Sequence, residues 1–263
     1  MRALNAIIAF TMVLSMALVV PLHASAIEGK GEKTPPKDAS TGNNSSESPA
    51  VPDKDDPPAV KRRMPVYKPP QRGTPGSRVA AGTRGEADGR IVLSALVPDH
   101  IGLTMQEQPA LYWFISQSTK YPVEFTFIES QSEKPLVEKR IEGAIGAGIH
   151  NVQLADYGIR LKTGTVYKWF ISIVTEPDHR SKDIVTGGEI ERIDPPAELR
   201  ASLDRAGKND APGIYAEAGL WYDALSAVCN LIDAGIDKAV FEEQRASLLE
   251  QVGLSDIAGW GGP

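Results

Sequence analysis

Apolar residues recur with three different spacings along this chain of 263 residues, and each spacing marks a different region. A continuous run, Ile7 to Val20, follows Arg2 and is closed by Pro21 and Ala24-Ser25-Ala26. From Glu28 to Gly89 apolar residues are almost absent. From Ile91 to Ile193 they come in short runs or alternate, as in strands. Val123, Phe125 and Phe127 alternate with Glu124 and Thr126, so one face is expected in the core and one in water. Ile91–Leu96, Leu111–Ile115, Leu136–Ile141, Ile149–Leu154, Val166–Val174 and Ile184–Ile193 complete a set of seven predicted strands. After Pro195-Pro196 the spacing turns helical: Trp221, Leu225, Val228 and Ile232 form one stripe. Asp210 is expected to cap a short helix with Pro212 in its first turn. Gly235 ends the striped helix, and Asp237 opens the next, which carries Val240, Phe241, Leu248, Leu249 and Val252.

These patterns predict an α+β chain: a mainly antiparallel β-sandwich of immunoglobulin-like architecture, followed by a C-terminal helical hairpin. The expected organisation is a signal peptide at residues 1–26 and a disordered Pro/Ser-rich linker with a basic end at 27–88. The sandwich then covers 89–194, and a helical segment packed on it covers 195–263. The Ile7–Val20 run is too short for a spanning helix, which needs roughly 20 residues. With a preceding cation and an Ala-x-Ala end it has the form of a secretory leader cut after Ala26. An uncleaved N-terminal anchor is the alternative. No transmembrane helix is expected once the leader is removed.

The linker is punctuated by Pro35-Pro36, Pro57-Pro58 and Pro69-Pro70, with polar low complexity at Thr41–Ser46. Such composition does not bury enough apolar surface to offset the entropy of ordering it. Asn43 and Asn44 each begin an Asn-x-Ser sequon. The one cysteine, Cys229, excludes an internal disulfide, so the body must be held by its core.

The net charge of −6 conceals a dipole along the chain. Residues 61–90 carry Lys61, Arg62, Arg63, Lys68, Arg72, Arg78, Arg84 and Arg90 against Glu86 and Asp88, whereas residues 183–263 are strongly acidic. The basic block, with Lys61, Arg62 and Arg63 at its head, suits an anionic surface such as lipid headgroups or cell-wall polymer. The alternatives are contact with the acidic C-terminal third, or a solvated tether without a partner. Nucleic acid is not expected: the block holds a single aromatic, Tyr67, to stack on a base.

No Gly-x-Ser-x-Gly elbow, His-Glu-x-x-His, Cys-x-x-Cys or phosphate loop occurs. Gly143, Gly146 and Gly148 are read as a turn or bulge between strands. His100, His150 and His179 lack ligand spacing, so no metal or other cofactor is called for. Cys229 sits beside Val228 and Ile232, the setting of a small buried hydrophobe, with Asp223 and Asp233 as the nearby charges. The dense polar cluster is Glu176–Asp183, between two strong strands. It makes a good turn, and it projects Asp178, His179, Arg180, Ser181 and Asp183 as candidate contacts to a ligand or partner. No catalytic residue is assigned.

Ile214 to Leu225 is similar to the middle of a tetratricopeptide unit, turning at Gly219 into an Asp-Ala-Leu helix. About three such units are needed for a stable stack, and only one is present. A helical hairpin packed on the sandwich is therefore expected, with a protein-binding groove as the alternative.

Longer motifs point to a family. Gln71–Arg78 with Gly82-Thr83-Arg84-Gly85, then Leu93–Pro98, Gly102-Leu103-Thr104, Pro109 and Tyr112-Trp113-Phe114 come in that order. Tyr167-Lys168-Trp169-Phe170, Asp178-His179-Arg180-Ser181, Tyr215–Leu225 and Leu249–Leu254 follow. Together, over roughly residues 71–258, they resemble the bacterial domain-of-unknown-function family 928. The resemblance implies an exported bacterial protein in the periplasm, cell envelope or extracellular space. It implies no activity and carries over no functional residue. The longer, charged linker and Cys229 depart from the family pattern.

The reading that follows is a non-enzymatic envelope module that binds an envelope protein or anionic polymer. The rivals are a hydrolase of envelope polymer using Glu176, Asp178 and Asp183, and a purely structural part of a larger complex.

Overall fold

The computed structural model describes residues 63–70, 78–79 and 91–260, all within one compact unit of residues 58–263. The leader, the sequons, Lys61, Arg62 and most of the expected linker lie outside the described residues. Eight strands come first: β1 (Leu93–Ala95), β2 (Gly102–Thr104), β3 (Ala110–Ile115), β4 (Val123–Glu129), β5 (Val137–Arg140), β6 (Gly148–Gln153), β7 (Val166–Ile173) and β8 (Ile184–Arg192). Among the described residues five α-helices follow: α1 (Ala197–Arg205), α2 (Ala211–Glu217), α3 (Trp221–Asp233), α4 (Lys238–Gln251) and α5 (Ser255–Ala258).

The strands form two sheets, one ordered β1-β3-β6 and one ordered β2-β8-β7-β4-β5. Every strand pairing among the described residues is antiparallel except β2 with β8, which is parallel, so the sheets are mainly antiparallel, as expected. The short β2 was not anticipated. It has three residues, Gly-Leu-Thr, too few to establish a period.

β7 follows the alternation closely. Tyr167, Trp169, Ile171 and Ile173 are buried, and the residues between them are only partly so. β3 is buried at all six positions, which its unbroken apolar sequence requires. Its face bearing Tyr112 and Phe114 meets the helices: Tyr112 lies beside Ser226 and Cys229, and Phe114 meets Trp260 edge-on at 5.2 Å. Trp260 thus packs back on the body. Residues of both sheets and of α3, α4 and α5 join one hydrophobic cluster.

Two polar devices tie the layers together. Thr186, fully buried on β8, accepts a hydrogen bond from Ala95 N of the other sheet at 2.8 Å and donates to Val79 O at 2.8 Å. The second device is the first turn of α3. Trp221 Nε1 donates to Leu96 O at 2.8 Å. Tyr222 Oη accepts from Trp169 Nε1 at 2.9 Å and donates to Glu189 O at 3.0 Å. Asp223 Oδ2 accepts from Met105 N at 3.1 Å. The Tyr222 ring is seated against Gly102, where a Cβ would come within 2.6 Å of the ring.

The helical region is larger than the expected hairpin. α1 was missed because it buries no residue, so its sequence carries no apolar stripe. Asp210 does occupy the N-cap position of α2, but its side chain makes no capping hydrogen bond. Gly219 and Gly235 take positive φ, 75° and 70°, at the turns out of α2 and α3. Among the described residues no helix is long and apolar enough to cross a membrane.

Two parts of the expected linker lie on the body. Residues 63–70 run along α2 and α4, and Val79 bridges Gly187 of β8. Arg78 Nη1 donates to Val97 O and Val252 O, at 3.2 and 3.0 Å. Proline content was a poor guide here, because these contacts are made mainly by main-chain groups.

Tyr222→Phe removes the hydroxyl that serves Trp169 Nε1 and leaves that donor buried without its acceptor. A loss of about 1–3 kcal/mol is expected, read as a lower midpoint in urea denaturation at unchanged slope.

Candidate functional site

The polar turn between β7 and β8 is a closed electrostatic unit. Arg180 reaches Glu124 on β4 (Nη2 to Oε2, 2.6 Å) and Asp183 (Nε to Oδ2, 2.7 Å). Lys182 Nζ donates to both oxygens of Glu176 at 2.6 and 2.7 Å, and His179 Nδ1 lies 3.3 Å from the same carboxylate. These pairs hold the Glu176 carboxyl below the ordinary carboxylate range, the Lys182 hydrogen bond first among them. Backbone bonds from His179 N to Glu176 O and from Lys182 N to His179 O complete the turn. Lys182, His179 and Glu176 are largely exposed, and surface pairs of this kind contribute roughly 0–1 kcal/mol each, whereas the Asp183 side chain beside Arg180 is only 5% exposed. The turn therefore gathers all five predicted contact residues in one place, but Arg180 and Asp183 face each other. Asp178 and Ser181 are exposed. The third predicted cation of the tether, Arg63, is exposed at the start of the described segment.

The histidines lie apart. His100 stacks on Tyr67, His150 stacks on Trp113, and His179 belongs to the turn. Cys229 is buried on α3, and burial pushes its thiol up to about 11, away from the nucleophilic thiolate.

A different feature has the composition of a binding site. A cleft of about 280 Å³ opens between the segment after β2, the end of β6, α2 and α3. Four amides line it: Gln106, Gln108, Gln153 and Asn230. Tyr215 and Ser226 add hydroxyls, and Asp223 is its single carboxylate among the described residues. Two of the amides are oriented from behind. Gln108 Nε2 donates to Ile159 O at 3.0 Å, and Gln153 Nε2 donates to Asn151 Oδ1 at 3.1 Å. Each keeps a carbonyl oxygen as an acceptor.

Asp223 is the unusual member. It is 4% exposed, and burial raises its carboxyl to about 6. Hydrogen bonds from the Thr104 side chain, Met105 N and the Gln106 side chain partly offset that rise. Its Oδ1 has no hydrogen-bond partner among the described residues. The helix supplies the reason for the position: Asp223 lies in the first turn of α3, where the helix dipole favours negative charge. Sequence reasoning treated Asp223 only as a charge near Cys229. An aspartate in a first helical turn is commonplace, and its burial depends on the loop after β2, far away in sequence.

The arrangement presents hydrogen-bonding groups of both senses at a concave surface, around one carboxylate. That is the character of a site for a neutral polar group. Both the cleft and the polar turn lie inside the part of the chain that matches a family model, Domain of Unknown Function (DUF928), over residues 79–260. The chain belongs to that family. No curated protein matches it.

The raised value of Asp223 has a consequence for stability. Its folded-state value lies above its ordinary 3.8, so folding takes up a proton between about pH 4 and 6. Its contribution is therefore full below about pH 4, falls as pH rises to 6, and is level above. Asp223→Asn should remove this dependence. Relative to the parent, the variant should gain about 1–3 kcal/mol between pH 4 and pH 7, measured by urea denaturation of both chains at each pH. Other carboxylates cancel in the comparison.

Proposed function

We propose that this protein is exported to the bacterial envelope and acts there as a non-enzymatic binding module. The observation that carries the reading is the cleft around Asp223, lined by four amides, two hydroxyls and one carboxylate. Its polar lining suits a hydroxyl- or amide-bearing group of an envelope polymer or protein. The outward Asp178 and Ser181 of the β7–β8 turn offer a further contact surface. Lys61, Arg62 and Arg63 add attraction to an anionic surface, and the Arg2, Ile7–Val20, Ala24-Ser25-Ala26 pattern supports export. In this reading the two sheets form a sandwich of immunoglobulin-like architecture, supported by the inclusion of both in one hydrophobic cluster.

The hydrolase reading is less well supported. Glycoside hydrolysis uses two carboxyls roughly 5–10 Å apart across a cleft, and among the described residues Asp223 is the only carboxylate lining this one. Of the loop carboxylates proposed for that role, Glu176 is engaged by Lys182, and Asp183 by Arg180.

The experiment is cell fractionation followed by rebinding. Mature protein beginning after Ala26 should be recovered outside the cytosol and should co-sediment with envelope material. Lys61→Gln, Arg62→Gln and Arg63→Gln together should weaken that retention by about tenfold or more at low salt, since each cation near an anionic surface contributes roughly 1 kcal/mol. Full-length protein with Met1 intact in the cytosol overturns the export reading. Retention unchanged by the triple substitution removes the electrostatic role of the tether.

A further inference from the structure

Residues 63–70 sit on the helices in the manner of a bound peptide. The segment is extended and alternates: Pro65 and Tyr67 are buried, while Met64, Val66 and Lys68 are exposed. Its polar contacts to the helices are made through the main chain. Gln251 Nε2 donates to Pro65 O at 2.9 Å, and Gln251 Oε1 accepts from Tyr67 N at 2.8 Å. Gln244 Nε2 donates to Arg63 O at 3.3 Å. Lys68 N donates to Ala216 O at 3.0 Å. Gln244 and Gln251 are seven residues apart on α4, so both lie on one helix face. A side-chain amide that both gives and takes a hydrogen bond with one extended backbone reads chain direction and extension, independent of side chains.

Selectivity comes from the two buried side chains, Tyr67 and Pro65. Tyr67 stacks parallel to His100, with 3° between the planes, and meets Trp221 edge-on at 5.0 Å. Pro65 is buried two residues before it. Gly219 keeps the far end open: a Cβ there would lie 2.8 Å from Lys68 O. Main-chain bonds that hold the strand, combined with pockets for alternate side chains, are the working principle of extended-peptide recognition. The helices that build this groove lie within the family-matched residues 79–260, whereas its occupant precedes them.

We infer that the groove of α2, α3 and α4 is a receptor for a partner protein presenting an extended Pro-x-Tyr segment, and that residues 63–70 fill it in cis. A tethered occupant competes at an effective concentration that reaches millimolar for a short linker. A segment in trans therefore binds well only where the strap is weakened or the partner segment is present in large excess.

The probe is a fluorescent peptide with the sequence of residues 63–70, titrated against the full chain and read by anisotropy. The Pro65→Ala/Tyr67→Ala double variant should bind it at least tenfold more tightly than the parent. Adding Gln251→Ala to that variant should abolish the gain, and a peptide with alanine for the tyrosine should not bind. Equal binding to parent and double variant, or binding indifferent to Gln251→Ala, overturns the inference. Amide exchange in the unaltered parent keeps the test intact should the double variant fail to fold. Millimolar peptide should speed exchange at the Tyr67 and Lys68 amides several-fold, and unchanged exchange overturns the inference as well.

Discussion

Three consecutive side chains in the first turn of α3 hold this molecule together. Trp221, Tyr222 and Asp223 each hydrogen-bond a different part of the strand region: Leu96 beyond β1, Trp169 and Glu189 on β7 and β8, and Met105 beyond β2. A helix pinned at three points has no freedom to slide or roll, so the position of α3 against both sheets is determined. The close approach needs Gly102 beneath the Tyr222 ring. The apolar stripe that continues through Leu225 and Val228 then buries itself in the common cluster. Burial provides the larger driving force, whereas the four hydrogen bonds select one orientation from the many that burial alone would allow.

The two candidate binding surfaces are built on that same turn. Trp221 forms a wall of the Tyr67 pocket, and Asp223 lines the amide-rich cleft. The turn thus connects a peptide-like contact to a polar cleft through adjacent residues of one helix. Burying Asp223 opposes folding above about pH 6, and the segment after β2 limits the cost with hydrogen bonds from Thr104, Met105 and Gln106. The β7–β8 turn is the opposite case. Its Glu176, His179 and Lys182 charges stay in water and pair locally, so they shape the turn but contribute little stability, while Asp183 is buried beside Arg180.

Much of the strand region was legible because its elements are buried in ways that leave a periodic signature. β7 shows alternation since one face is wetter than the other, and β3 shows an unbroken apolar run since both faces are covered. The stripe of α3 was legible for the same reason. β2 and α1 were not: one is three residues long, and the other buries no side chain. Residues 63–70 were read as linker because only Pro65 and Tyr67 go inside, and the remaining contacts involve backbone groups that every sequence possesses. Of the candidate surfaces, the polar turn was visible as a local cluster of charges. The cleft was not, since Gln106, Gln153 and Asp223 come from distant parts of the chain.

By itself, the sequence determined which segments can become strands and helices and where the chain turns. These properties depend on the spacing of apolar residues and on local backbone preferences. It also carried the ordered motifs that mark the family. Only the tertiary structure decided that β2 runs parallel to β8, that Asp223 is buried beside amides, and that a proline-rich segment docks on two glutamines of α4. Each of these depends on groups brought together across more than eighty residues of chain, and such closeness is set by packing rather than by any local pattern.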